Sequence, residues 1–254
     1  MLRRTLTLVL TSLVFTSTAE AGALNPWGLP GGEGVFGINP YLYVFPNETD
    51  ESGANIYPIL YLSYGFTDSA DLIVGQSFYF GGDWGSGLDT LEIMPRYFFT
   101  DTVGIALHTF TGTYSGGTFD FGPELQGAWS WDALDLGVNL GYYMYDPFGT
   151  FNAGVIKAIV APEHYFTDSF SVYVEGDMAA YLDPSATEFQ IVPGVSWSFA
   201  ETHYFSLGVQ IPLDTYDGAT KPSVGLWYYT SFGGAADEPP ADEPHDADAP
   251  AADE

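Results

Sequence analysis

The chain has 254 residues, of which 46% are hydrophobic and 17% aromatic. It has no cysteine, which excludes a disulfide framework and thiol chemistry. Five Lys and Arg against 33 Asp and Glu leave a net charge of −28, and so acidic a chain lacks the clustered basic residues that nucleic-acid binding requires.

The N-terminus reads as a secretory signal. Arg3 and Arg4 form a positive start, "TLTLVLTSLVF" an apolar core, and Ala19–Glu20–Ala21 a small-x-small cleavage site. The apolar run is shorter than the roughly 20 residues a spanning helix needs. Residues 1–21 are therefore expected to be removed, leaving 22–34 as a short periplasmic N-terminal segment.

From there the chain repeats itself. Polar turns at Asp68, Asp101, Asp132, Asp168 and Glu201 recur at spacings of 33, 31, 36 and 33 residues. A near-fixed period marks a repeated structural unit. Within each unit two runs of about ten residues alternate in polarity, which is the strand signal. The unit is a β-hairpin, and the arms predict twelve strands over 35–45, 56–66, 71–80, 89–99, 103–113, 119–131, 134–145, 152–166, 170–178, 187–199, 203–212 and 221–232. The Asp turns are tight; the opposite connections, such as "PNETDESGAN" and "DTYDGATK", are mostly longer. That asymmetry, after a signal peptide, predicts a 12-stranded antiparallel up-and-down transmembrane β-barrel over residues 35–232. With an even strand number both termini lie at the tight-turn end, the periplasm.

Alternation alone does not say which face is inside. One face is nearly free of charge, as in Leu134, Leu136, Val138 and Leu140. Its aromatics gather beside the tight turns at Tyr64, Phe66, Tyr97, Phe99, Trp129, Trp131, Phe166, Trp197 and Phe199, the positions of an interfacial girdle. This face is assigned to lipid. Pro58, Pro95, Pro123, Pro162 and Pro193 fall on the same register. Each removes a ladder hydrogen bond, and β-bulges would accommodate them.

The other register defines the lumen. It carries Asp71, Glu92, Asp120, Glu124, Asp135, Glu163, Glu175, Asp177 and Glu188 with Arg96, Lys157 and Lys221. A basic residue at mid-depth on the lipid face would cost about 2–4 kcal/mol, which supports this choice of faces. The reading is a cation-attracting pore, or else internal salt bridges filling a narrow barrel, with Arg96 beside Glu92, Glu124 or Glu163. Tyr41, Tyr43, Tyr57, Tyr61, Tyr79, Tyr143, Tyr173, Trp227 and Tyr229 share the register with many glycines, including Gly75, Gly122 and Gly194. They would line an aromatic path for a small solute or lie over cross-strand glycines to stiffen the sheet.

The chain carries no Gly-x-Ser-x-Gly and no His-Glu-x-x-His, and His108 has no serine placed beside it in sequence. No catalytic residue, metal or cofactor is assigned, and an outer-membrane lipase is only a minor alternative. Residues 233–254 hold eight acids, four prolines and seven alanines, a composition that cannot bury enough apolar surface to order itself.

The signal segment, the "Pro-x-x-x-Phe-Thr-Asp" descending strands and the "Asp-Leu-x-Val" ascending ones resemble outer-membrane β-barrels, most closely the outer-membrane (transporter) family of the phenol meta-degradation pathway. The resemblance spans Gly34 to Phe232 and implies uptake of aromatic or other hydrophobic compounds. It also implies that Phe232 serves as a terminal aromatic for the barrel assembly machinery, although the acidic tail beyond it departs from that pattern. The expected function is a narrow channel or uptake pore for small solutes in the bacterial outer membrane, with a closed structural or surface-interaction barrel as the alternative. Expected partners are outer-membrane lipids and lipopolysaccharide, the assembly machinery and a small solute.

The topology is directly testable on whole cells. A cysteine at Ser52 is expected to react with a membrane-impermeant thiol reagent, and one at Ser69 to be protected. The opposite labelling would invert the barrel.

Overall fold

The computed structural model describes residues 32–46, 54–81, 85–112, 119–145, 147, 152–182, 185–199, 203–214 and 221–233. The signal segment, the acidic tail and much of the longer connections lie outside the described residues. Twelve strands form: β1 (Val35–Pro46), β2 (Ala54–Thr67), β3 (Ala70–Gly81), β4 (Gly85–Phe98), β5 (Val103–Gly112), β6 (Phe119–Trp131), β7 (Leu134–Tyr145), β8 (Asn152–Thr167), β9 (Phe170–Leu182), β10 (Ser185–Phe199), β11 (His203–Asp214) and β12 (Ser223–Gly233). Each pairs antiparallel with its sequence neighbours, and β1 pairs with β12 to close the barrel.

The tight turns owe their form to threonine. Thr67 and Thr167 each accept the backbone N–H of the serine two residues on, at 3.2 and 3.3 Å. Thr100 accepts from Thr102 and Val103 at 3.2 and 3.0 Å. These hydroxyls replace a backbone partner within a chain reversal. Asp132 adopts φ 44° in the two-residue turn between β6 and β7. Aspartate tolerates this left-handed region because its short polar side chain bonds locally. Neighbouring hairpins are then stitched together at the same rim, for example by Phe98 N–H to Ser69 C=O at 2.8 Å and Tyr165 N–H to Ala133 C=O at 2.8 Å.

Burial alternates along the strands. In β1, Asn39, Tyr41 and Tyr43 are buried, whereas Phe36 stands outward, exposed. The outward row is apolar over the whole girth and includes Leu60, Leu62, Ile93, Ile105, Leu125, Leu140, Val160 and Val174.

The prolines are held without bulges. Pro95 pairs with Leu72 of β3, while towards β5 the pairing passes from Ile93↔Thr109 directly to Arg96↔Ala106. Pro162 pairs with Leu136, and towards β9 the ladder passes from Val160↔Gly176 to Glu163↔Tyr173. Pro58, Pro123 and Pro193 repeat the pattern. Each proline drops two successive pairings on one side, and the register is unchanged beyond the gap. The missing N–H thus costs a local opening rather than a slip, which corrects the expectation of bulges.

A true register shift occurs elsewhere, between β3 and β4 at Gln76/Phe78. There Ser77 faces both Asp89 and Thr90. Thr90 N–H donates to the Ser77 hydroxyl at 2.9 Å, and the Ser77 hydroxyl donates to the Thr90 carbonyl at 3.2 Å. The extra residue leaves Leu88 and Leu91 both facing outward. The strand continues four residues before its predicted start at 89, because glycines at 85 and 87 read as loop. β9 likewise continues to Leu182, past its predicted end, because the small pair Ala179–Ala180 hides the alternation.

Large inward rings lie on bare backbone. A Cβ added at Gly194 would sit 2.0 Å from the Tyr173 ring, and one at Gly75 would sit 2.2 Å from the Tyr61 ring. The Tyr143 ring lies between Gly122 and Gly141. Gly194→Ala is expected to destabilise the barrel by about 1–3 kcal/mol, as overpacking does. In a Tyr173→Ala background the same change is expected to cost far less. Urea unfolding of the refolded protein in vesicles measures both.

Candidate functional site: the barrel interior

The interior is built by every second residue of each strand, so its chemistry follows directly from the register. Asp71, Glu92, Arg96, Glu124, Asp135, Glu163 and Glu175 are buried there, and Asp120, Lys157, Asp177 and Glu188 are half-buried. Lys221 is half-buried just ahead of β12, before the strand begins. Tyr41, Tyr43, Tyr61, Tyr143, Tyr173, Trp227 and Tyr229 are buried on the same face, and Tyr57 and Tyr79 are half-buried. Asp89 belongs with the inner acids and escaped the sequence reading. The extra residue beside Ser77 reverses the alternation, so Asp89 and Glu92 face the same way although three positions apart. Tyr57 donates to Asp89 and also to the Ser77 hydroxyl, the latter at 2.9 Å.

Near the tight-turn rim Arg96 forks onto Asp71, with Nε to Oδ1 at 2.8 Å and Nη2 to Oδ2 at 2.6 Å. Asp71 is thus a partner that the sequence did not single out for it. The two residues are directly opposite across β3 and β4, and a bidentate guanidinium–carboxylate pair is the strongest arrangement available to it. Across the lumen Asp135 and Glu163 face each other on β7 and β8. Glu163 accepts from Ser171, and from Tyr204 reaching across from β11 at 3.4 Å.

Midway along the strands His108 stands between two glutamates. Its Nδ1 lies 2.6 Å from Glu92 and its Nε2 3.4 Å from Glu124. Tyr61 donates to Glu92 at 3.0 Å; Tyr143 and Gln126 donate to Glu124 at 2.6 and 2.8 Å. His108 is thus a bridging wall residue. Opposite it, Tyr41 stacks on Trp227 with centroids 6.3 Å apart, meets Tyr61 edge-on at 5.4 Å, and Trp227 leans on Tyr173 at 5.9 Å. Ile73, Met94, Ala106 and Val192 complete a buried cluster with these rings. Met94, Glu175 and Val192 are 0% exposed, so side chains fill the barrel at this depth.

Towards the far end the interior loosens. Gln190 donates to Asp177 at 2.8 Å and Tyr181 to Glu188 at 2.9 Å. Lys157 Nζ lies 4.9 Å over the Tyr143 ring. Among the described residues no group of three or more His, Asp or Glu is placed to hold a metal ion.

The ladder also shows an order that spacing does not reveal. Asp71, Arg96, Ala106, Glu124, Gly141, Lys157, Ala179 and Glu188 are successive cross-strand partners from β3 to β10. Partners joined by a tight turn lie equally far from it, and the distance grows from one such hairpin to the next. A track of alternating charge therefore winds up one wall, facing the aromatic cluster of β1, β2 and β12.

No protein-family model and no curated protein matches the chain. Solved structures do. One titled "KdgM porin in complex with disordered oligogalacturonate" matches with TM-score 0.55 at 11% identity, over 78% of this chain and 99% of that one. The NanC porin matches with TM-score 0.54 at 10% identity, over 77% and 98%. At such identities the likeness is one of fold alone: a closed 12-stranded antiparallel barrel, as in those outer-membrane porins.

Breaking a buried pair leaves an uncompensated charge. Arg96→Ala is expected to cost about 3–5 kcal/mol, and Asp71→Asn combined with Arg96→Gln much less. Chemical unfolding of the three proteins checks it.

Proposed function

We propose that the chain is a bacterial outer-membrane barrel that passes or holds small solutes between its charged track and its aromatic wall. The observation that carries this reading is the winding row Asp71–Arg96–Glu124–Lys157–Glu188, which sets charged groups in succession along the barrel axis, with Lys157 and Glu188 half-buried at its far end. The apolar outer face, the aromatics beside the tight turns and the porin-type fold support the outer-membrane location, with both termini periplasmic. Acids outnumber bases on the inner wall, so cations are favoured over anions. The rings of Tyr41, Tyr61, Tyr173 and Trp227 suit the aromatic or hydrophobic solute that the resemblance to the phenol-pathway family implies. The chain is read as a non-enzyme.

A second reading has its own observation. Met94, Glu175 and Val192 are inaccessible to water, which favours a barrel closed at rest, structural in role unless its plug yields.

Planar-bilayer recording separates the two. Wild type is expected to give a small, cation-selective conductance whose selectivity fades with rising salt. Met94→Ala with Trp227→Ala, which removes two buried side chains of the inner cluster, is expected to raise the conductance several-fold. Anion selectivity would contradict the acidic-lumen reading. Silence of both folded proteins would leave the structural reading.

A further inference from the structure

The outer wall carries a shallow trough, of about 650 Å³, whose lining includes Leu134, Pro162, His164, Val172, Val174, Pro193, Val195, Leu207 and Val209. Its form follows from two neighbouring rows. Leu134, His164, Val172, Val195 and Leu207 are successive cross-strand partners from β7 to β11. Beside them run Pro162, Val174, Pro193 and Val209, with Val174 directly paired to Pro193. The floor is thus made of prolines and valines, the side chains that stand least far from the sheet.

Another pair of prolines, on β4 and β6, has bulkier neighbours. There Pro95 and Pro123 flank Leu107, and the residue beyond is Tyr142. At the equivalent positions the trough has Val174 and Val209. Its rim towards the tight turns is a continuous aromatic bank. Phe166 and Phe170 lie 6.2 Å apart, Phe170 and Trp197 5.5 Å, and Trp197 and Phe205 5.9 Å. Five strands at about 4.8 Å spacing make the trough about 19 Å long. Tilted strands incline it to the membrane normal, so it spans a depth comparable to the about 15 Å of one leaflet's hydrocarbon.

From this geometry we propose that the trough is a binding site for one phospholipid of the periplasmic leaflet, with an acyl chain lying over Pro162, Val174 and Pro193. The proposal rests on the outer-membrane reading, which makes hydrocarbon the surrounding medium. The aromatic bank sets the depth, because such girdles sit at headgroup level. His164, exposed on the outer face and held edge-on against Phe166 at 4.9 Å, belongs to the trough's own lining and is the contact for the phosphate. Glu163, although part of the lining, turns its carboxylate into the lumen towards Ser171.

The test uses refolded barrel in phosphatidylglycerol vesicles, extracted into mild detergent and examined by native mass spectrometry. Wild type is expected to retain one phosphatidylglycerol per barrel. Val174→Phe, which fills the floor, is expected to retain several-fold less, and His164→Ala to lose the lipid at lower collision energy. Leu107→Phe, on β5 between its own two prolines, is expected to behave as wild type. Equal retention by Val174→Phe and wild type, or no retained lipid on wild type, would overturn the site. So would a dimer that Val174→Phe disrupts, since the occupant would then be a second copy. Heat-modifiable gel migration in the vesicles keeps the two failures apart. A folded, inserted barrel without lipid sinks only the site, whereas failure to insert sinks the outer-membrane reading beneath it.

Discussion

Backbone pairing is the constraint from which this molecule follows. In hydrocarbon an unpaired N–H or C=O costs several kcal/mol, so a spanning sheet must close on itself. Closure by β1 on β12 removes the edges, and the even number of strands then brings both ends of the described barrel to the same rim. The prolines are the exceptions that show how strong the constraint is. Each opens the ladder on one side only, keeps its pairing on the other, and leaves the register untouched. A closed ring tolerates such gaps because the strands on either side hold the register, whereas an open sheet would be free to slip.

Closure also fixes what the interior must be. Twelve strands lie between the roughly eight whose lumen side chains fill and the 16–18 of open porins. Here the lumen is filled, by the cluster of Tyr41, Tyr61, Tyr173, Trp227 and Met94 and by the charged groups. Glycines make room for the rings, and cross-strand partners make room for the charges. The Arg96–Asp71 fork and the Glu92–His108–Glu124 bridge bring opposite or bridging groups together where an isolated charge would be prohibitive. One inner surface thus holds the barrel together and, on the proposed reading, also selects solutes, so that emptying it for flux would sacrifice packing.

Much of this was legible in the sequence because a strand's period of two is unforgiving. The turn spacing from Asp68 to Glu201 and the charge-free face of β7 suffice for the strand number and the two faces. What failed did so for local reasons. Asp89 was hidden because a single extra residue beside Ser77 inverts the alternation, and no turn or glycine signal marks that point. Asp71 did not stand out as a partner of Arg96 because register between strands depends on turn geometry, which spacing gives only to within a residue or two. The charge track was invisible for the same reason: its members lie between 25 and 33 residues apart and align only once seven ladders are in register. The valine-floored trough needs two rows in three dimensions.

The inner and outer faces of a single strand can be told apart by spin labels on cysteines placed singly at Ala158, Ile159, Val160 and Ala161 of β8, with the protein in vesicles. Labels at 158 and 160 should be reached by oxygen and shielded from a water-soluble nickel chelate, and labels at 159 and 161 shielded from both. Nickel access at 159 and 161 would contradict a side-chain-filled lumen, and nickel access at 158 and 160 would contradict a face turned to lipid.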